Sequence, residues 1–150
     1  MAEGMLKSKL PDDLKDHVIV RSAGTLGLNG NRATPFAIMA AQKRNADISR
    51  HRSRGLTERL VNDSDIILAM DEDHRQFLEQ EYPKVKENVF LLKEFAANGK
   101  KVKYPSIDDP IGGSMRIYEN TADEINEEIE RILPMLIKLI RNKVENEHEL

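Results

Sequence analysis

Three short runs of consecutive apolar residues punctuate an otherwise mixed pattern. His17–Ser22 (HVIVRS) sets Val18, Ile19 and Val20 side by side, Asp65–Met70 (DIILAM) is almost wholly apolar, and Asn88–Phe95 (NVFLLKEF) holds Val89, Phe90, Leu91 and Leu92. Runs of this length between helical stretches predict parallel strands buried on both faces. Between and after them the spacing turns helical. Pro35 stands at the first turn of PFAIMAAQKRNA, where its missing N–H costs nothing. Thr57 offers a cap to TERLVNDS, with Leu60 and Val61 facing inward. EDHRQFLEQEY carries Phe77 and Leu78 as anchors. A broad stripe that includes Ile117, Tyr118, Ile125, Ile129, Ile132 and Leu136 predicts a long last helix over Ser114–Lys143. Pro134 predicts a kink or split within it, and residues 144–150 read as a flexible, solvated tail. The first ten residues, MAEGMLKSKL, also read as helix, yet no capping residue stands in front of them.

Alternating strand and helix implies an α/β fold with a parallel sheet, in one domain over residues 1–150. In such sheets ligands gather outside the carboxyl ends of the strands. That rule directs attention to Ser22-Ala23-Gly24-Thr25 after the first run, Met70-Asp71 after the second, and the loop DDPIGGS (Asp108–Ser114) further on.

Composition narrows the chemistry. Hydrophobic residues make up 39% and charged residues 33% of the chain, a folded rather than a disordered balance. The net charge of -3, without a basic block, argues against a nucleic-acid partner, and no apolar run is long enough to span a bilayer. No secretory signal is visible, so the cytoplasm is the expected compartment. There are no cysteines, so no thiolate nucleophile, disulfide or thiolate metal site comes from these residues. The four histidines (His17, His51, His74, His148) show no ligand spacing, and neither a metal nor a cofactor is expected.

The polar residues on the predicted rim each allow two readings. Asp109, stiffened by Pro110, suits a general acid whose protonation burial or nearby negative charge would favour; it equally suits an Asx-turn ahead of the last helix. Ser22 either bonds a neighbouring loop or only ends a strand. In DISRHRSRGLT, Arg50, His51, Arg52 and Arg54 make either an anion-greeting cluster or a solvated loop, with His51 satisfied by a backbone partner. Asp71 is a site carboxylate or, preferably, the cap of the following helix.

Taken together and in order, RSAGT, DISRHRSRGLT, NDSDIILAMD, VFLLKEF and DDPIGGSMRIYENTADEI resemble the bacterial low-molecular-weight protein-tyrosine phosphatases, over essentially the whole chain from Met1 to Leu139. The resemblance implies a three-layer sandwich of the phosphotyrosine phosphatase I type. It implies hydrolysis of a phosphate monoester, on a phosphorylated protein or a small phosphate ester, through a phosphocysteine. In the family the segment matching MAEG follows a central first strand and a loop of Cys, five residues, Arg, Ser and Pro. Neither matches anything here, so the chain is expected to be a truncated, inactive homologue, unstable or re-pairing its strands when alone. By the same resemblance Asp109 matches the general acid and base, Ser22 and His51 match residues that brace the phosphate loop, and Glu3 has at most a supporting role. Arsenate reductase is less favoured, because the region after DIILAM lacks the cysteine pair that the thioredoxin-coupled reductases need. Ile111, where many members carry an aromatic residue, leaves phosphoarginine open beside phosphotyrosine. A non-catalytic binding module is the alternative to an enzyme.

Overall fold

The computed structural model describes residues 1–149. Helix α1 (Ala2–Lys9) is followed by a 3-10 segment (Asp12–His17), helices α2 (Pro35–Gln42) and α3 (Glu58–Asn62), strand β1 (Ile67–Ala69), helix α4 (Glu72–Glu81), a second 3-10 segment (Pro83–Asn88), strand β2 (Val89–Leu91) and the long α5 (Met115–His148). β1 and β2 pair in parallel, Ile67 opposite Val89 and Ala69 opposite Leu91.

The alternation of side chains along β1 explains the layering. Ile66, Leu68 and Met70 pack against a core that includes Met5, Ala40, Ala41, Leu92, Ile129 and Ile132, so α1, α2 and α5 cover that face. Ile67 and Ala69 point the other way, into a cluster with Val61, Leu78, Val85, Val89 and Leu91, so α3 and α4 cover the opposite face. A strand buried on both sides has no polar face to show, which is why DIILAM reads as a continuous apolar run. Met5, Leu91, Leu92, Ile129 and Ile132 are the largest fully buried side chains.

Helix starts follow the sequence closely. Thr34 accepts the Ala37 N–H ahead of Pro35, Thr57 accepts the Leu60 N–H, Asp71 accepts the His74 N–H at 2.7 Å, and Ser114 accepts the Ile117 N–H. Each removes an orphan donor of a first turn. Helix α1 has no such cap: its first turn is closed by the Met5 N–H donating to the Met1 carbonyl. α5 is held at two levels. Arg44, just after α2, reaches Asp123 and the Glu119 carbonyl, and Arg131 donates to the Phe95 and Leu92 carbonyls.

Two expectations need correction. The first apolar run is not a strand. Residues 18–22 form no ladder, and Ile19 is 80% exposed. An apolar run becomes a strand only if a partner offers its N–H and C=O groups, and among the described residues β1 pairs with β2 alone. Nor does Pro134 split the last helix, which runs unbroken from Met115 through His148. One missing N–H is a local loss. The buried stripe of Ile129, Ile132 and Leu136 spans the proline and packs the helix on the core on both sides of it. The helix continues four residues beyond Val144, through the stretch read as a tail; Leu150 lies outside the described residues.

Candidate functional site

Glu3, on the first turn of α1, is the meeting point of the rim residues. Its side chain is 10% exposed, and its two carboxylate oxygens are divided between two loops. Oε1 accepts the Ser22 backbone N–H at 3.0 Å, and Oε2 lies 2.9 Å from His51 Nδ1. Lys7, one turn on, comes within 3.8 Å of Oε2. Ser22 and His51 are thus brought together, and the partner of the His51 ring is this carboxylate rather than a backbone carbonyl. Glu3 therefore does more than the supporting role the resemblance implies; its signal in the sequence is a carboxylate in the first turn of a helix with Lys7 one turn on.

The loops that carry Ser22 and His51 are laced into one another. Gly24 N–H donates to the Arg54 carbonyl at 2.9 Å and the Leu56 N–H returns to the Gly24 carbonyl at 3.1 Å. Gly30 N–H donates to the Ser53 carbonyl, and Ser53 N–H to the Asn31 carbonyl, both at 2.8 Å. Asn29 Oδ1 accepts the Gly55 N–H at 2.9 Å. Gly55 has to be glycine at this crossing, because a Cβ there would lie 2.7 Å from the Gly27 Cα.

Beside Glu3 opens a groove of about 600 Å³. Its walls include the unpaired residues 18–21, and Lys7, Arg21, Arg50, Arg52 and Arg54 against Glu3 and Asp47, so the lining is cationic although the chain is not. The Nε of Arg54 is buried and makes no hydrogen bond among the described residues. Such a wall attracts anions by charge and by the geometry of guanidinium donors.

Asp109 stands apart from this groove, in an exposed loop at the carboxyl end of β1. The loop is tied there by Ile107 N–H to the Met70 carbonyl at 2.8 Å and by Glu72 N–H to Ser106 Oγ at 3.2 Å. Asp109 Oδ1 accepts the Ile111 N–H at 3.0 Å, an Asx-turn, and Gly113 N–H closes on the Pro110 carbonyl at 2.9 Å. Gly112 takes a φ of 78°, the left-handed region. Among the described residues the second oxygen of the Asp109 carboxylate makes no hydrogen bond. Asp71 is engaged as the cap of α4, with His74 Nδ1 at 3.2 Å from the same oxygen. Among the described residues no three His, Cys, Asp or Glu side chains are grouped to hold a metal ion, and no helix is long and apolar enough to cross a membrane.

Two interlaced loops thus close on Glu3 in an α/β frame with a parallel sheet, and an aspartate stands in the loop that leads from the end of β1 to the last helix. Residues 1–146 match the sequence model of the family described as "Low molecular weight phosphotyrosine protein phosphatase", and the chain belongs to that family. Among its relatives are a protein-arginine-phosphatase of Bacillus subtilis (strain 168), 33% identical over 138 residues that cover 92% of this chain and 88% of that protein. A probable low molecular weight protein-tyrosine-phosphatase, EpsP, of Ralstonia solanacearum is 31% identical over 136 residues, covering 91% and 86%. The solved YwlE arginine phosphatase of Geobacillus stearothermophilus superposes with a TM-score of 0.79 at 28% identity, over 91% of this chain and 83% of that one.

Proposed function

We propose that these 150 residues form a low-molecular-weight phosphatase domain that holds the acid and the bracing residues of the reaction but not its nucleophile, and that as they stand they turn over no phosphate ester. The observation that carries this reading is the absence of any cysteine from the sequence. Family members cleave the ester by attack of a thiolate on phosphorus, with an aspartic acid protonating the leaving oxygen and later activating water. Asp109 takes that acid–base role, its free oxygen being available to a substrate while the other is fixed on Ile111. Glu3, Ser22 and His51 act by position: they hold the loop ends against which an anion-binding turn would rest. General acid catalysis alone is worth about 10²–10⁴-fold, and only on a bound substrate.

Residues 18–21, which form no ladder among the described residues, support the corollary that a strand carrying the thiol loop completes the sheet beside them in an intact enzyme. The substrate of that intact form is a protein phosphate. Phosphoarginine stands beside phosphotyrosine, because Ile111, 73% exposed, offers no aromatic face to a tyrosine ring. A second reading, a binding module without turnover, draws support from the cationic groove and from the exposed Leu26 and Leu28 on its neighbouring loop.

The test is steady-state hydrolysis of an aryl phosphate and of a phosphoarginine peptide, beside the Asp109→Ala variant. Both proteins should give the same background rate. Turnover by the parent well above the variant would refute the proposal.

A further inference from the structure

The sequence contains two Asn-Gly pairs, Asn29-Gly30 and Asn98-Gly99, and the fold treats them oppositely. Cyclisation at such a pair requires the glycine nitrogen to reach the asparagine side-chain carbonyl carbon, and glycine leaves that path open because it has no Cβ. The nitrogen must be free of other acceptors and the side chain free to rotate.

At Asn29-Gly30 neither condition holds. Asn29 Nδ2 donates to the Gly27 carbonyl at 3.1 Å, its Oδ1 accepts the Gly55 N–H at 2.9 Å, and the Gly30 N–H is given to the Ser53 carbonyl at 2.8 Å. At Asn98-Gly99 both conditions hold. Both residues are exposed, and neither the Asn98 side chain nor the Gly99 N–H makes a hydrogen bond among the described residues. The loop turns through the left-handed region, Ala96, Asn98 and Gly99 having φ of 56°, 54° and 78°, with the Lys100 N–H closing it on the Ala97 carbonyl at 3.0 Å. For alanine that is a strained conformation.

We propose that Asn98 is a self-modifying site, converted spontaneously to aspartate and isoaspartate in the folded protein while Asn29 is spared. The Gly99 nitrogen attacks Asn98 Cγ and a C–N bond forms. The bond from Cγ to Nδ2 breaks, and ammonia leaves with the proton lost from the Gly99 nitrogen. Water then opens the succinimide at either carbonyl, giving the α- or the β-linked acid. The new carboxylate appears beside Lys100, Lys101 and Lys103, in the loop that walls a cleft of about 710 Å³ with Phe90 and Glu94. The isoaspartyl product also lengthens the backbone of that loop, which leads directly to Ser106 and Ile107, the anchors of the Asp109 loop.

The test is timed incubation of the full chain at mildly alkaline pH, with peptide mapping by mass spectrometry and isoaspartyl methyl transfer, run once in buffer and once in concentrated urea. In buffer Asn98 should react at least about tenfold faster than Asn29, since two side-chain bonds and the Gly30 N–H bond must open at Asn29, and only the exposed Lys100 N–H to Ala97 carbonyl turn bond at Asn98. In urea the two rates should converge. Equal rates in buffer, or a difference that persists unchanged in urea, would overturn the assignment.

Discussion

Removal of the Glu3 carboxylate is the perturbation that most directly probes how the rim is held. In Glu3→Ala the Ser22 N–H and the His51 Nδ1 lose their shared acceptor in a place where the side chain is only 10% exposed. The Ser22 hydrogen bond to a charged group contributes about 1.5–3 kcal/mol and the close imidazole contact up to about as much, and part of that is returned because a largely buried carboxylate no longer has to be desolvated. A net loss of roughly 2–4 kcal/mol follows. At this chain length each kcal/mol moves the melting temperature by about 2–4 °C, so Glu3→Ala should melt roughly 4–16 °C lower. Glu3→Gln separates the two contacts. Its amide oxygen still accepts from Ser22, but its amide N–H now faces His51, which must present a bare Nδ1 and carry its proton on Nε2. That variant should lose only about 1 kcal/mol and switch the His51 tautomer. Thermal and urea melts read the first effect, and nitrogen NMR of the imidazole reads the second. A Glu3→Ala protein within about 0.5 kcal/mol of the parent, the range of an inert surface change, would refute the claim that Glu3 ties the two loops.

Three further outcomes are expected. Asp71→Ala removes the cap of α4 and its contact with His74, and should lower the urea midpoint by an amount equivalent to about 1 kcal/mol with the slope unchanged. Gly55→Ala forces a Cβ onto the Gly27 backbone and should cost about 1–3 kcal/mol, seen first as faster hydrogen exchange at the Gly24 and Gly30 amides. Arg44→Lys gives up the forked contact with Asp123 and the bonds to the Ala40 and Glu119 carbonyls, and should lose about 1 kcal/mol; a lysine that restores full stability would show that charge alone suffices there.

What could be read from the letters was whatever depends on neighbours in sequence. Caps at Thr57, Asp71 and Ser114 work through an N–H three residues on, and the double-sided burial of Ile67–Ala69 shows as an unbroken apolar run. What could not be read depends on who sits across from whom. Val18, Ile19 and Val20 look like a strand in every local respect, but a ladder is a property of pairs, and among the described residues no strand pairs with them. Pro134 carries a strong local signal for a break that a long buried stripe overrides. At the site, the local sequence leaves Ser22 and His51 each open to two readings, and only the family resemblance implies that they brace a phosphate loop. That a single glutamate on the first helical turn joins them is a tertiary fact, since it links positions 3, 22 and 51.

In the proposed reading Asp109 serves as the acid in a chain with no thiolate to receive the phosphoryl group. Incubation of the purified chain with a labile aryl phosphate, acid quenching and intact-mass measurement tests it in one step. The account predicts a protein whose mass is unchanged at every time point. A covalent phosphoryl adduct that forms and then hydrolyses, on any residue of this cysteine-free chain, would contradict it.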